Sequence, residues 1–157
     1  MSKDYYAHER PELVAEIEEG DNRILDLGCA QGAMSSLIKK KGRANEIWGE
    51  EIVEELAQIA KANNDLDRVL IGDIQDIVGD LPEAYFSHIL AGDVLEHLID
   101  PWGTLTKLRT RLQPGGKFIG SIPNIRNVSF MLKLIFVGKF EYRDSGVMDR
   151  THLRFFT

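Results

Sequence analysis

The feature that most constrains this chain is a unit that recurs along it: a short apolar strand, a turn, then an amphipathic helix. Arg23 to Leu27 reads as a strand, Gly28 to Gly32 as a glycine-bearing turn, and Ala33 to Lys41 as a helix that buries Met34, Leu37 and Ile38. The unit returns with a strand over Glu46 to Glu51 before a helix over Val53 to Asn63, and with Val69 to Gly72 before a helical turn around Ile74 to Val78. Ser87 to Ala91 is the fourth strand. A helix over Pro101 to Leu112 follows, closed by Pro114-Gly115-Gly116, which leads into a fifth strand over Lys117 to Ile122. Ahead of them, Pro11 to Glu19 begins with proline at a first helical position and places Leu13, Val14 and Ile17 on one face, which predicts a helix lying over the sheet. Strands alternating with helices at this spacing require crossover connections, hence a mostly parallel α/β sheet with helices on both faces, a three-layer αβα arrangement.

In such sheets ligands bind beyond the carboxyl ends of the strands. The chemistry is therefore expected just after each strand, and the residues there are polar: Asp26, Gly28 and Gly32 after the first, Glu51 at the end of the second, Asp73 after the third, and Asp93, Glu96 and His97 after the fourth. Length and charge narrow what this edge can serve. At 157 residues, 43% hydrophobic and 28% charged, the chain is expected to be one domain. Its net charge of -6 disfavours nucleic acid and anionic membrane surfaces as partners. Lys117 to Thr157 nevertheless holds 7 basic and 3 acidic residues, a balance suited to an anionic small molecule. Cys29 stands alone, so no internal disulfide is expected and the cytoplasm is the expected compartment. The polar first ten residues lack a signal-peptide core, and no stretch is long enough for a membrane span.

Gly28 and Gly32 flank a tight turn that leaves the backbone and the next helix N-terminus open to a ligand. A side chain at Gly28 is therefore expected to block binding and leave the fold intact. Ala30 and Ala33 stand where a dinucleotide fingerprint has its second and third glycines, and the Asp26 carboxylate would repel a diphosphate. A ligand with positive charge, an amine or a sulfonium, suits Asp26 better. Glu51, 23 positions after Gly28, is placed to accept hydrogen bonds from both ribose hydroxyls, and Asp73 from an adenine amino group.

The run Arg23-Ile24-Leu25-Asp26-Leu27-Gly28-Cys29-Ala30-Gln31-Gly32 resembles the first motif of class I S-adenosylmethionine-dependent methyltransferases. Ile47-Trp48-Gly49-Glu50-Glu51-Ile52 is similar to their second-strand motif, Gly72-Asp73-Ile74 to the third, and Val94-Leu95-Glu96-His97-Leu98 with Leu112-Gln113-Pro114-Gly115-Gly116 to the pattern after the fourth. The resemblance implies a Rossmann-like fold and S-adenosylmethionine as cofactor. It implies that the Gly28–Gly32 loop, with Cys29 and Ala30, holds the methionine part, Glu51 and Ile52 the ribose side, Asp73 with the Ile74 amide the adenine, and the Gly92-Asp93 backbone the α-amine. Ala30 departs from the family's usual glycine, and its methyl group is small enough that cofactor binding is expected to survive. Asp149 to Thr157 is similar to a segment of bacterial methyltransferases associated with sugar or cell-surface polysaccharide synthesis. The family implies a further helix and two more strands, so the chain is expected to be either truncated or unusually short. Residues 1–20 are then an N-terminal helical cap, 21–122 the cofactor core and 123–157 an acceptor or lid segment.

Methyl transfer to a hydroxyl needs a group that takes its proton, and histidine is the usual one. Of the four, His88 falls inside a strand and reads as core, and His8 lies, like Tyr5 and Tyr6, in a terminal segment with no fixed direction. His97 is expected to face the cofactor cleft, and His152 to be oriented by Asp149; these two are the catalytic candidates. Asp93, Glu96 and His97 also resemble the metal-binding pattern of some small methyltransferases acting on RNA ends or quinones. No metal is expected, because Asp93 has a cofactor role and Glu96 is placed to cap the next helix. Val128 to Val137 has eight apolar residues in ten and is expected as a helix buried over the sheet or at a subunit contact, with a lid touching a lipid-linked acceptor as the alternative. With the last strands missing, the fifth strand becomes an edge and the chain is expected to self-associate, as a dimer. The expected function is methyl transfer to a small acceptor, an oxygen of a sugar-like or anionic metabolite. The alternatives are a non-catalytic S-adenosylmethionine-binding or assembly module and a nicotinamide-dependent oxidoreductase.

Overall fold

The computed structural model describes residues 9–157, so His8, Tyr5 and Tyr6 lie outside the described residues. Five strands, β1 (Arg23–Leu27), β2 (Glu46–Glu51), β3 (Arg68–Ile71), β4 (Phe86–Gly92) and β5 (Leu112–Ser121), form one sheet in the order β3-β2-β1-β4-β5. Every neighbouring pair is parallel. The strand order reverses between β1 and β4, and the ends of those two strands open the crevice where ligands of such sheets bind.

Period-two alternation splits each strand between two cores. Ile24, Ile47 and Leu90 join α1 (Pro11–Ala15) and α2 (Ala33–Lys40) on one face, while their neighbours Leu25, Trp48 and Ile89 join α4 (Ile74–Ile77) and α5 (Pro101–Arg109) on the other. The helix α3 (Glu54–Lys61) buries Ala57 and Ala60. Met34, Leu37 and Ile38 are buried on α2, as its spacing predicts.

Three elements differ from the expectation. The first helix ends at Ala15 instead of Glu19, in a tighter turn where Glu16 and Ile17 donate to the carbonyls of Leu13 and Val14, and the Arg43 guanidinium donates to the carbonyls of Val14, Ala15 and Ile17 at that end. Leu13, Val14 and Ile17 are buried all the same. The fifth helix ends at Arg109, and Pro114-Gly115-Gly116 lies within β5 instead of ahead of it. Backbone bonds from Ala84 to the Thr110 carbonyl and from Tyr85 to the Arg111 carbonyl draw the chain into the sheet early. Between Phe86↔Leu112 and His88↔Lys117 the register shifts, and the proline-glycine run forms the bulge. A Cβ on Gly116 would lie 3.0 Å from the carbonyl oxygens of Gln113, Phe86 and Ser87, so only glycine fits. Finally, α6 (Val128–Val137) forms as expected but buries none of its residues. It covers no part of the sheet, because it follows the edge strand β5 and leads away from both cores.

Candidate functional site

A cavity of about 860 Å³ opens at the carboxyl ends of β1, β2 and β4. Its floor is the turn after β1, which two acids at the end of β2 hold in place. Glu50 accepts from the Gly28 amide at 3.2 Å, and Glu51 accepts from the Ala30 amide at 2.9 Å and the Val53 amide at 2.8 Å. Asp26 is fully buried beneath the turn. Its Oδ2 accepts from the Ser35 hydroxyl at 2.8 Å, whereas Oδ1 has no partner. Burial pushes the Asp26 carboxyl up to about 7 and Glu50 up to about 8, and it also raises the Cys29 thiol. The cavity floor is thus a group of carboxyls short of positive partners.

The other walls come from the turns after β3 and β4. Asp73 caps α4 through the Gln75 amide at 2.8 Å, with Ile74 beside it on the cavity. Asp93 sits at φ 58 and holds Arg10, whose guanidinium bridges Asp93 Oδ2 at 2.6 Å and the Ser121 hydroxyl at 2.5 Å. This ties the entry to α1 to the ends of β4 and β5. Of the eleven cofactor residues expected from sequence, ten line the cavity: Asp26, Gly28, Cys29, Ala30, Glu51, Ile52, Asp73, Ile74, Gly92 and Asp93. Gly32 does not. A Cβ there would meet Leu66 at 2.7 Å and Asn63 at 2.9 Å, so this glycine serves the packing of the loop on the segment after α3. At Gly28 a Cβ would meet Val94 at 2.9 Å at a φ of +61, so a side chain would disturb the protein itself, contrary to the expectation that only a ligand would notice it.

On the remaining side lie the histidines. His97 and Thr151 line the cavity and His152 does not. The segment carrying His152 is clipped to the turn after β4 by the amides of Leu153 and Arg154, which donate to the Glu96 carbonyl at 2.8 and 3.1 Å. The His152 and His97 rings then meet edge to face with centroids 4.9 Å apart. Asp149 does not orient His152: its carboxylate accepts from the Thr151 amide at 2.8 Å and hydroxyl at 2.6 Å, and His152 Nδ1 faces the Val147 carbonyl at 3.2 Å instead. Nor does Glu96 cap a helix, since Asp100 caps α5 through the Gly103 amide. Glu96 is 1% exposed, neither carboxyl oxygen has a hydrogen bond among the described residues, and burial raises its carboxyl to about 7. Burial lowers the His97 imidazole, with His152 adding to the shift. His88 is core, bonded through Nδ1 to the Ser87 hydroxyl, as the strand placement predicts.

A sequence profile of the family described as "Methyltransferase domain" matches residues 2–157. The chain belongs to this family. It is 29% identical over 118 residues to a ubiquinone biosynthesis O-methyltransferase of Xylella fastidiosa (strain M23), a match covering 72% of this chain and 46% of that protein. The chain thus spans about half the length of the curated relatives it matches. Among solved structures it is similar to an S-adenosylmethionine dependent methyltransferase from Mesorhizobium loti, with TM-score 0.65, 27% identity, and 74% and 54% of the two chains covered. It also shares the fold of a Haloferax volcanii methyltransferase solved with the activator Trm112, with TM-score 0.70, 23% identity, and 82% and 57% covered.

S-adenosylmethionine is the cofactor that this methyltransferase-domain family implies, and the cavity fits it in charge. Asp26 Oδ1 is buried and unpartnered, and a cationic ligand relieves that arrangement where an anionic one would worsen it. Sequence reasoning missed Arg10, Glu50 and Thr151. Arg10 and Thr151 lie far from the recurrent motifs, and only their return to the cavity marks them. Glu50 was visible as a second acid on an inward strand position, a choice that burial makes costly and that is itself a signal.

Proposed function

We propose that the domain transfers a methyl group from S-adenosylmethionine to an oxygen of a small acceptor, a sugar-like or anionic metabolite. The observation that carries this reading is one cavity with an acidic wall of Asp26, Glu51, Asp73 and Asp93 on one side and His97 on the other. When bound, the cofactor supplies an electrophilic methyl carried on a sulfonium. The chain's part is to hold and orient. Glu51 stands ready for the ribose hydroxyls at the cost of its bonds to the loop, and Asp73 and the Ile74 amide stand ready for the adenine. The Gly28–Ala30 turn takes the methionine part with the Gly92-Asp93 backbone, and Arg10 suits a carboxylate there. On the acceptor side, the hydroxyl proton leaves toward the Glu96, His97 and His152 group, of which His97 reaches the cavity and His152 acts through its neighbours. That the Xylella fastidiosa relative is an O-methyltransferase supports oxygen as the acceptor atom. The basic balance of Lys117 to Thr157 supports an anionic one.

In this reading residues 1–20 form the N-terminal cap, 21–122 the cofactor core and 123–157 the acceptor segment of a single domain. The chain self-associates, a reading supported by the outer edge of β5 and the uncovered α6, and it works in the cytoplasm, supported by the free Cys29. No helix of the described residues is long and apolar enough to cross a membrane. Calorimetry with S-adenosylmethionine and S-adenosylhomocysteine tests the cofactor half: Glu51→Ala weakens binding by about 1–3 kcal/mol. His97→Ala lowers turnover on an oxygen acceptor and leaves cofactor affinity in place; equal turnover removes His97 from the reading.

A further inference from the structure

Resting on the methyl-transfer reading, we infer that Asp26 and Glu50 set how strongly the cavity prefers the charged cofactor over its uncharged product. The pair releases a proton when a sulfonium enters and takes one up when the sulfur is neutral.

The sheet places the two acids where no cation comes from its strands. Asp26 stands between Gly49 of β2 and Leu90 of β4, and Glu50 between Leu27 of β1 and Leu70 of β3. From α2 Asp26 meets only the Ser35 hydroxyl, and from the turn after β1 Glu50 meets the Gly28 amide. The charged groups that act on them are further acids: Glu51 on Asp26, and Glu51, Asp73 and Asp26 on Glu50. Arg10, the cation on the cavity wall, is held by Glu12 and Asp93. The Cys29 thiol, raised by the same burial, keeps its proton.

Both acids line the cavity, yet Asp26 is fully buried and Glu50 is 4% exposed. Asp26 Oδ1 is the independent sign of a ligand, since a buried oxygen without a partner is costly and a cation in the cavity relieves it. Glu51 is not part of the pair, because the amides of Ala30 and Val53 occupy its two oxygens.

Without a ligand, burial raises Asp26 to about 7 and Glu50 to about 8, so near neutrality the pair holds protons it can give up. A fixed positive charge nearby favours the carboxylate, and one proton passes to solvent for each carboxylate formed. The thioether of S-adenosylhomocysteine carries no such charge, so the carboxyl keeps its proton. Raising the pH from about 6 to about 8 removes protons that the sulfonium would otherwise displace, and S-adenosylmethionine gains affinity relative to S-adenosylhomocysteine. The α-amino and α-carboxyl groups are present in both ligands, so the difference between the two isolates the sulfur.

The test is calorimetry of both ligands on the full chain at pH 6, 7 and 8, in two buffers of unequal ionisation heat, which counts the protons exchanged. At pH 7 S-adenosylmethionine should release more protons than S-adenosylhomocysteine, and the preference for it should rise by roughly 10-fold or more between pH 6 and 8. Asp26→Asn and Glu50→Gln, which preserve shape, should each remove part of this excess while circular dichroism stays native; the ligands' own ionisations are the same for every chain compared. The wild-type chain by itself can overturn the inference, through equal proton release for the two ligands and a preference that does not change with pH. An excess that survives in both variants and is lost in Glu96→Gln assigns the proton to the opposite wall and overturns it as well. Failure of both ligands to bind at any pH removes the methyl-transfer reading too, whereas binding of both without a pH-dependent preference removes the role of the pair alone.

Discussion

The strand β4 and the helix α6 are both strongly apolar in sequence, yet they meet opposite fates. From Phe86 to Ala91 every residue of β4 is buried; from Val128 to Val137 none of α6 is, and Phe136 is 79% exposed. Local signals do not explain the difference, because α6 is well specified by itself. Asn127 caps it through the Phe130 amide and Gly138 closes it at φ 67. What separates them is position. β4 has β1 and β5 on either side and helices over both faces, whereas α6 lies past the edge strand and half-buries Phe130, Met131 and Leu134, with Phe130 meeting Phe140, and Phe140 meeting Phe155, edge to face. Hydrophobicity states that a segment seeks cover, and only the rest of the fold states whether cover is there.

This contrast can be broken by substitution. The largest effect is expected at Phe86→Ala, which empties a fully buried site between β4 and the helices and should cost about 3–5 kcal/mol in urea unfolding. A loss below 1 kcal/mol would mean that β4 is no more committed than α6.

Next comes Asp26, buried with the same depth on β1 but polar. In the unfolded chain this carboxyl ionises near 3.8, and in the fold burial raises it to about 7. Between those values the native state holds a proton that the unfolded state has released, so stability falls as pH rises from about 4 to about 7. Across that window the loss amounts to about 2–4 kcal/mol. Asp26→Asn removes this part of the slope and leaves what Glu50, raised to about 8, and Glu96, raised to about 7, contribute. Thermal unfolding at pH 5, 6, 7 and 8 reads both chains, and parallel profiles would show that Asp26 is not the titrating group.

Ala30 gives a smaller effect of opposite sign. It occupies a left-handed conformation at φ 48, which glycine adopts without strain. Ala30→Gly should therefore stabilise the chain by about 0.5–1 kcal/mol, the relief of strain less the entropy that glycine adds to the unfolded state. A loss of stability on denaturant unfolding would contradict the strain.

The smallest change in stability belongs to α6 itself. Phe136→Ser should shift the unfolding free energy by no more than about 0.5 kcal/mol, yet lower any concentration-dependent association seen by sedimentation. A loss of 2 kcal/mol in the monomer would show that the helix is covered after all.

The cavity repeats the lesson on polar residues. Glu51, Asp73 and Asp93 were legible because each sits at, or within two residues after, the end of a strand whose own pattern is plain, and topology carries strand ends to one edge. Arg10 and Thr151 were not, since they reach the cavity from an entry turn and a late loop whose courses no local pattern predicts. Gly32 lies off the cavity for a related reason: a turn glycine faces ligand or protein according to what packs behind it, and here that is Leu66 and Asn63.

By itself the sequence determined the five parallel strands, their alternation between two cores and the acidic row at their carboxyl ends, because these follow from periodicities of two and 3.6 residues that act over a few positions. Tertiary structure alone decided that α6 buries none of its residues, that Arg43 bonds the carbonyls at the end of the first helix and Arg10 holds Asp93, and that His152 comes to rest against Glu96 and His97 without a hydrogen bond to the carboxylate of Asp149. Those outcomes join residues tens of positions apart. Such contacts depend on where whole elements dock, and the free energy that sets docking is spread over the packed sheet and its helices, outside any local stretch of chain.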